Sequence, residues 1–288
     1  MGLHPASPTF VFPSLLPYIH LAMKTLPHIS KAQLKYYHSL ALKKGRQEEG
    51  KFIIEGARLV EEALAAKHPL EAILATPAFL EKKEHAPMLQ ALRASKDALL
   101  EISESELAKL SDTITSQGVI AIAHRQESSQ DQFWKNLPER CVLVGLDGIS
   151  DPGNLGSILR TCDWFGVDGV FLSWDTVELY NPKVVRSTMG AIFHLPIFSE
   201  VDLRSVIEQA KASEISVVAT TLDSGSNAFD ASFPSRSLIL LGSEAHGIQN
   251  GLVQRADKTV TLPKFGAAES LNVAAACASL LTLLKSKQ

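Results

Sequence analysis

The chain has 288 residues, enough for about two domains of typical size. It is 45% hydrophobic and 20% charged, and its formal net charge of −3 excludes a nucleic-acid binder that relies on overall positive charge. Its three cysteines lie far apart among apolar residues, which is typical of buried thiols in a reducing compartment and not of a disulfide framework. No histidine or cysteine spacing indicates a metal site.

The first 22 residues, "MGLHPASPTFVFPSLLPYIHLA", are apolar and almost uncharged. A signal peptide or membrane anchor is disfavoured because no basic region precedes the apolar stretch and because Pro13 and Pro17 interrupt any helix. We therefore predict that residues 1–22 are a disordered extension or the result of an upstream start codon. In either case we expect the segment to be dispensable and a more ordinary sequence to begin at Met23.

The next segment alternates between helical and strand patterns. A helix is predicted to begin after Ser30 and to run through Lys44. Short apolar runs predict strands at 51–56, 70–76, 98–103 and 118–124, with an amphipathic helix behind the first of them at 57–66. Ser103 and Glu106 have the spacing of a capping box for a further short helix. Together these elements predict a small α/β domain over residues 23–125.

A second domain is predicted at 141–288, after a polar linker at 126–140. Its strands are predicted at 141–147, 169–173, 215–221, 238–242 and 258–263. Its helices are predicted at 156–165, 182–189, 203–212 and 270–285. The strands are almost continuously apolar, as expected for a parallel sheet that is covered on both faces.

Three glycine-bearing polar loops follow three of these buried strands. The first, "GISDPGNLGSILRT", places Asn154 at the start of a helix and Arg160 within its first turns. The others are "LILLGSEAHGI" and "LPKFGAAESLNVAAACASLL". Parallel α/β sheets bind ligands in a crevice at the carboxyl ends of their strands, and helix N-termini attract anions there. The three loops therefore suggest one shared site.

Three segments, in order and in chemistry, resemble the motifs of the SpoU/TrmH family, the RNA ribose 2′-O-methyltransferases of the SPOUT superfamily. They are "NLGSILRTCDWFG", "LGSEAHGI" and "LPKFGAAESLNVAAA". In the first domain, "KFIIEGARLVEEAL" and "SDTITSQGVIAIA" are similar to the substrate-binding module of that family.

The resemblance implies a parallel-sheet α/β domain with a C-terminal trefoil knot, which composition and spacing do not predict because knots are rare. It also implies a cytoplasmic homodimer with the site near the dimer interface. The methyl donor is S-adenosylmethionine, no metal is needed, and the partner is RNA and not a membrane.

The resemblance further implies two groups of site residues. The catalytic group is Asn154, Arg160, Glu244, Ser270 and Asn272, and the cofactor-binding group is Thr220, Gly242, Leu262 and Leu271. A guanidinium hardly deprotonates in proteins, so Arg160 is expected to clamp the target phosphate and to lower the pKa of the 2′-hydroxyl. Glu244 is expected to hold the loops or to orient Arg160.

For several of these residues the sequence leaves a structural role open. Gly242 is expected to permit close contact with the cofactor. The two leucines are equally compatible with core packing, and Ser270 with an N-cap of the last helix. Trp164 and Phe165 are expected in the core.

Contact with RNA is predicted mainly for the first domain, where Lys43, Lys44 and Arg46 lie in the densest basic stretch. A solvated helix face is the alternative. Arg186 is added by resemblance alone.

The leading hypothesis is a methyltransferase that acts on ribosomal RNA, with transfer RNA as the less favoured substrate. The alternative is a catalytically inactive RNA-binding assembly factor with the same fold. A nucleotide-binding dehydrogenase ranks last because no strand is followed by G-x-G-x-x-G.

Overall fold

The computed structural model describes residues 26–94, 98–126, 128–222 and 224–287. The predicted extension at 1–22 lies outside the described residues. Within the described ranges, no helix is long and apolar enough to cross a bilayer.

The first part of the chain forms a four-stranded mixed sheet with its helices. In chain order these are α1 (Lys31–Ser39), α2 (Lys43–Glu49), β1 (Lys51–Glu55), α3 (Ala57–Ala65), β2 (Leu70–Ala75), α4 (Pro77–Leu80), α5 (Ala86–Ala94), β3 (Ala98–Glu101), α6 (Glu104–Leu110) and β4 (Val119–His124). The strand order is β1-β4-β2-β3, with β4 antiparallel to both neighbours and β2 parallel to β3. The predicted strands and the Ser103 capping box are confirmed.

The single helix predicted through Lys44 is wrong, because α1 and α2 are separate helices. Leu42, between them, has an extended backbone (φ −95°, ψ 142°). The Nη1 of Arg46 donates hydrogen bonds to the carbonyls of Leu40 (2.9 Å) and Ala41 (2.8 Å). These bonds satisfy carbonyls that the end of a helix leaves without partners, so the break carries little cost in hydrogen bonding.

The second part of the chain forms a seven-stranded, entirely parallel sheet in the order β7-β6-β5-β10-β8-β11-β9. Its elements are α7 (Gln130–Lys135), β5 (Cys141–Asp147), α8 (Pro152–Trp164), β6 (Gly169–Ser173), α9 (Pro182–Thr188), β7 (Ile197–Val201), α10 (Leu203–Ala212), β8 (Ser216–Thr220), β9 (Ser226–Asn227), β10 (Arg236–Gly242), α11 (Asn250–Val253), β11 (Lys258–Thr261) and α12 (Val273–Ser286). The predicted parallel α/β fold is confirmed. The knot and the exact domain boundaries stay predictions.

The predicted linker contains a helix, α7, that packs on the second sheet. The ring of Phe133 lies edge-on against Phe171 and Phe198, with ring centroids 5.8 and 4.9 Å apart. A Cβ atom on Gly169 would overlap the Phe133 ring, so this glycine makes room for the helix. The linker prediction rested on the polar composition of the segment and overlooked two apolar residues, Phe133 and Trp134, that anchor the helix to the sheet.

The helix of the first motif, α8, is held close to α9. It begins at Pro152, earlier than predicted, because the side chain of Asp151 caps the helix by accepting a hydrogen bond from the backbone N–H of Asn154 (2.8 Å). A Cβ atom on Gly156 would lie only 2.9 Å from the Val184 carbonyl oxygen of α9. Gly156 thus permits a close helix–helix contact, and it fixes α9 relative to the first motif.

Candidate active site

The carboxyl end of the interior strand β5 is joined to the loop after β10 by a buried carboxylate. Asp147 accepts hydrogen bonds from the backbone amide (2.8 Å) and the Nε2 (3.0 Å) of Gln249. Burial raises the pKa of Asp147, and the nearby carboxylate of Asp175 adds to the shift. Sequence reasoning missed both Asp147 and Gln249, although an acidic residue that ends a buried strand was a visible signal.

Side chains from all three motifs meet at this edge. The amide of Asn154, on the first turn of α8, donates to Glu244 in the loop after β10. Its oxygen accepts a hydrogen bond from the Nδ2 of Asn272, in the loop after β11 (3.0 Å). Asn154 therefore connects the second motif to the third, and the predicted convergence of the three loops is seen in the structure.

Asn272 has a second role as the N-cap of α12. Its Oδ1 accepts from the amides of Ala274 (2.9 Å) and Ala275 (3.3 Å). The helix start predicted at Ser270 is therefore wrong, and Ser270 is not the cap. Ser270 is an exposed residue of the preceding loop and, within the described ranges, forms no hydrogen bond.

Arg160 does not take part in the Asn154 network. Arg160 lies six residues after Asn154 on α8, which places it about 120° around the helix and about 9 Å along the helix axis from Asn154. Its side chain is exposed, and it has no ion pair among the described residues. Glu244 binds Asn154 and does not orient Arg160. The guanidinium is therefore available to a ligand.

Trp164 extends the exposed face of α8 that carries Arg160. The prediction that Trp164 belongs to the core is wrong, because it is 84% exposed. Phe165, the next residue, is half-buried and packs against the core. The exposed indole of Trp164 lies one turn from the exposed guanidinium of Arg160, so the two side chains share one solvent-facing side of α8.

The structure gives Gly242 a role in folding the second-motif loop, and the predicted cofactor contact stays a prediction. A Cβ atom there would overlap the backbone of Gly247 and Ile248. Gly247 has a positive φ of +65° and donates from its amide to the Ser243 carbonyl (2.9 Å), which closes the turn. Gly242 therefore allows the second-motif loop to fold back on itself.

The other three predicted cofactor residues lie at the same sheet edge. Thr220 ends β8, and Leu262 follows β11 and packs partly on the core. Leu271, in contrast, is 51% exposed, so it has no core-packing role. Phe265, between the two leucines, is also exposed, and its ring is near-parallel to that of Phe229 with centroids 6.5 Å apart.

Arg46 does not belong to an RNA-binding surface in this structure. Its side chain is 3% exposed, and it forms a two-pronged ion pair with Glu178, which follows β6 in the other sheet region. Together with the carbonyls between α1 and α2, this pair occupies the donors of the guanidinium. The prediction for Arg46 is therefore corrected to a structural contact between the two parts of the chain.

The lysines near Arg46 differ in whether their charges are exposed to solvent or largely buried. Lys43 and Lys44 are exposed, and among the described residues their ion pairs are surface contacts with Glu200 and Glu48. Lys51 is largely buried against Glu71 and donates to the hydroxyl of Tyr36 (2.8 Å). Although burial lowers the pKa of Lys51, its bonds to Glu71 and Tyr36 outweigh this effect and raise it overall. The exposed lysines can exchange a weak surface ion pair for a phosphate, whereas Lys51 would lose largely buried contacts.

Arg186, on α9, points to the first domain. Its Nη2 donates to Asp112 (2.8 Å), and its Nη1 lies 3.8 Å from a carboxylate oxygen of Glu55. The Nη1 atom is buried and has no hydrogen bond. The side chain is therefore occupied by two acidic residues of the N-terminal region.

Comparisons with known proteins identify both parts of the chain. Residues 141–282 match the SpoU rRNA methylase family, and residues 31–121 match the MRM3-like substrate binding domain. The chain belongs to the SpoU rRNA methylase family.

Among its relatives, the chain is similar to the 23S rRNA (guanosine(2553)-2′-O)-methyltransferase RlmP of Bacillus subtilis. They are 32% identical over 263 residues, which are 91% of this chain and 100% of that protein.

Two solved structures are also similar. The SpoU methyltransferase AviRb from Streptomyces viridochromogenes, in complex with AdoMet, has a TM-score of 0.79 and 26% identity, over 88% of this chain and 97% of that one. The AdoMet-bound rRNA methyltransferase from Sinorhizobium meliloti has a TM-score of 0.78 and 26% identity, over 90% and 95%.

Proposed function

We propose that the protein transfers a methyl group from S-adenosylmethionine to a ribose 2′-hydroxyl of RNA. The observation that carries this proposal is the contact of Asn154 with Glu244 and Asn272, which brings the three motifs to one edge of the sheet. A free arginine, Arg160, lies on the same helix as Asn154. Similar proteins that are named as ribose methyltransferases, or that are bound to AdoMet, support the same activity.

The loops at the sheet edge suit the methyl donor. Leu222, Phe265 and Leu271 follow β8 and β11 and expose apolar side chains. Exposed apolar groups at a strand edge favour a flat ring such as adenine, whereas the neighbouring backbone amides favour polar groups. We assign donor binding to these loops, with Thr220 and Leu262 at their base. The donor supplies an electrophilic methyl group on a sulfonium sulfur.

The contribution of the protein is alignment and charge stabilisation. The guanidinium of Arg160 binds the phosphate beside the target ribose and favours the developing 2′-alkoxide. Asn154, held between Glu244 and Asn272, positions the ribose. Because residues of two other loops hold its side-chain amide, little reorganisation is needed when the substrate arrives.

We further propose that the substrate is ribosomal RNA, by similarity to the Bacillus subtilis relative, and that the protein acts in the cytoplasm as a homodimer. The exposed face of α8, with Trp164 and Arg160, supports a dimer interface beside the site. Exposed Lys43 and Lys44 of the N-terminal domain are the proposed phosphate contacts. Size-exclusion chromatography with light scattering measures the mass, and a monomer would contradict the dimer.

The activity is tested with purified protein, S-adenosylmethionine, and either 23S ribosomal RNA or bulk transfer RNA. Nuclease digestion and mass spectrometry should reveal a 2′-O-methylnucleoside in the ribosomal RNA alone. Arg160→Ala should lower turnover about 10²–10³-fold, as removal of a charge-stabilising group does elsewhere, while donor affinity measured by calorimetry stays the same.

The matched control is Arg204→Ala, which removes an exposed arginine from α10 and should keep full turnover. If the wild-type protein binds the donor but methylates neither RNA, the activity is contradicted and the RNA-binding factor is favoured. If Arg160→Ala retains normal turnover, the role of Arg160 is wrong.

A further inference from the structure

The loop between α6 and β4, residues 111–118, is held at both ends. At its start, Glu55 accepts hydrogen bonds from the hydroxyls of Ser111 and Thr113 and from the amide of Asp112 (3.2 Å). At its end, the side-chain oxygen of Gln117 accepts from the amide of the first residue of α3 (3.0 Å). A loop anchored in this way has one orientation relative to its own sheet.

The tip of this loop points to solvent. Ile114 is fully exposed, and Thr115 beside it is exposed as well. Since the segment belongs to the part of the chain that matches a substrate-binding domain, its tip is a suitable place for RNA contact. Such a contact is useful for methyl transfer only if the loop has a defined position relative to Asn154 and Arg160.

Arg186 connects the loop to the helices of the active site. Its ion pair with Asp112 and its contact with buried Glu55 reach the start of the loop from α9. In turn, α9 packs against α8 at Gly156, whose missing side chain permits the close approach. A chain of direct contacts therefore runs from the loop, through Arg186 and α9, to the helix that carries Asn154 and Arg160.

We propose that Arg186 is a positioning residue that sets the RNA-contacting loop at residues 111–118 relative to the methyl-transfer site, and that it is not itself an RNA contact. This proposal rests on the proposed function, because it assumes an RNA substrate bound by the N-terminal domain. Both acidic partners lie on the N-terminal side, so an RNA phosphate would have to displace them in order to reach Arg186.

A change at Asp112 distinguishes the two possible roles of Arg186, phosphate contact or positioning residue, because the two roles predict opposite changes in RNA binding. Asp112→Asn removes a negative charge from an exposed side chain, so it should improve RNA binding if Arg186 is a phosphate contact. If Arg186 is a positioning residue, the same change loosens the loop and weakens RNA binding. Arg186→Gln weakens RNA binding in both cases, so it does not decide between them.

The experiment measures steady-state methylation of a 23S ribosomal RNA transcript by Arg186→Gln, Asp112→Asn and the double variant. We expect each single change to raise KM for RNA about tenfold with kcat nearly unchanged. The KM of the double variant should be no higher than that of the single variant with the higher KM. Arg204→Gln, which removes an equal charge from exposed α10, should leave KM unchanged. A lower KM for Asp112→Asn, or additive effects, would overturn the proposal.

Hydrogen–deuterium exchange without RNA provides a readout that is independent of activity. The amides of residues 111–118 should exchange faster in both single variants, whereas those of α12 should not change. If the wild-type protein methylates no RNA but the loop amides behave as expected, the proposed function fails and the structural connection stands. If exchange at the loop is unaltered, the connection itself is wrong.

Discussion

Both the edge of the seven-stranded sheet and the helices before the four-stranded sheet carry polar residues that the sequence marks for function, yet the fold treats them differently. At the sheet edge, Asn154, Glu244 and Asn272 come together as expected. In the N-terminal helices, Arg46 is removed from the expected surface by its ion pair with Glu178. Strand ends in a parallel sheet share one edge, whereas a run of basic residues has no such geometric constraint.

The largest expected effect tests this difference at Arg46. Arg46→Ala should lower the free energy of unfolding by about 3–5 kcal/mol, because it leaves the carboxylate of Glu178 buried without its partner. Lys44→Ala is the matched change on the same helix, at a side chain that is 82% exposed, and should alter stability by no more than about 0.5 kcal/mol. Urea unfolding of both variants measures the two values.

Binding of the same two variants to RNA completes this test. Lys44→Ala should weaken binding, with a smaller salt dependence than the wild-type protein, because it removes a phosphate contact. Folded Arg46→Ala protein should bind RNA like the wild-type protein. Equal stability of the two variants, with weaker RNA binding by Arg46→Ala, would show that the buried ion pair does not exist in solution.

The next effect separates folding from function at Asn272. Asn272→Asp keeps the two acceptor contacts that cap α12, and a carboxylate is favoured at a helix N-terminus. It loses the N–H group that binds Asn154, so turnover should fall roughly 10²-fold while stability stays within about 1 kcal/mol. Methyl transfer and thermal unfolding give the two numbers.

Asn272→Ala is the comparison for that variant, because it loses the cap as well as the contact with Asn154. It should be destabilised by about 1 kcal/mol and should be no more active than Asn272→Asp. Normal turnover of Asn272→Asp would exclude a functional role for the bond between Asn272 and Asn154.

The smallest expected effect concerns His68, at the junction of the two regions. Its ring packs beside Phe193 and binds the carbonyl of His124 (2.8 Å), and burial lowers its pKa. Because the His68 pKa is lower in the folded protein, the unfolded chain binds the proton more tightly. The stability that the buried neutral ring contributes is therefore present above a pH of about 6.5 and is lost as the pH falls through the lowered pKa. Urea unfolding at pH 7.5 and at pH 5.5 gives the free energy of unfolding at each pH. Between the two, this free energy should fall less for His68→Gln than for the wild-type protein. Identical losses would contradict a buried neutral His68.

Local pattern predicted the elements well where one periodicity dominates. The apolar runs of β5 and β10 and the capping box at Ser103 needed only neighbouring residues. The edge strand β7 was missed because Ser199 and Glu200 interrupt its short apolar run, and helix α7 was missed because its segment is mostly polar. The start of α12 was misplaced because Ser270 and Asn272 are both good caps, and the bond to Asn154 favours the second.

The sequence by itself determined the parallel α/β class and the order of the three motifs, because these follow from short-range periodicity. It suggested that the three loops converge, because parallel strands share one edge, and the structure then showed the contacts. Only the tertiary structure decided that Arg46 is buried, that Arg186 binds Asp112 and that Trp164 is exposed. The bond from Arg46 to Glu178 spans 132 residues of sequence. Whether a charge is free or paired depends on such distant partners, which no local pattern contains.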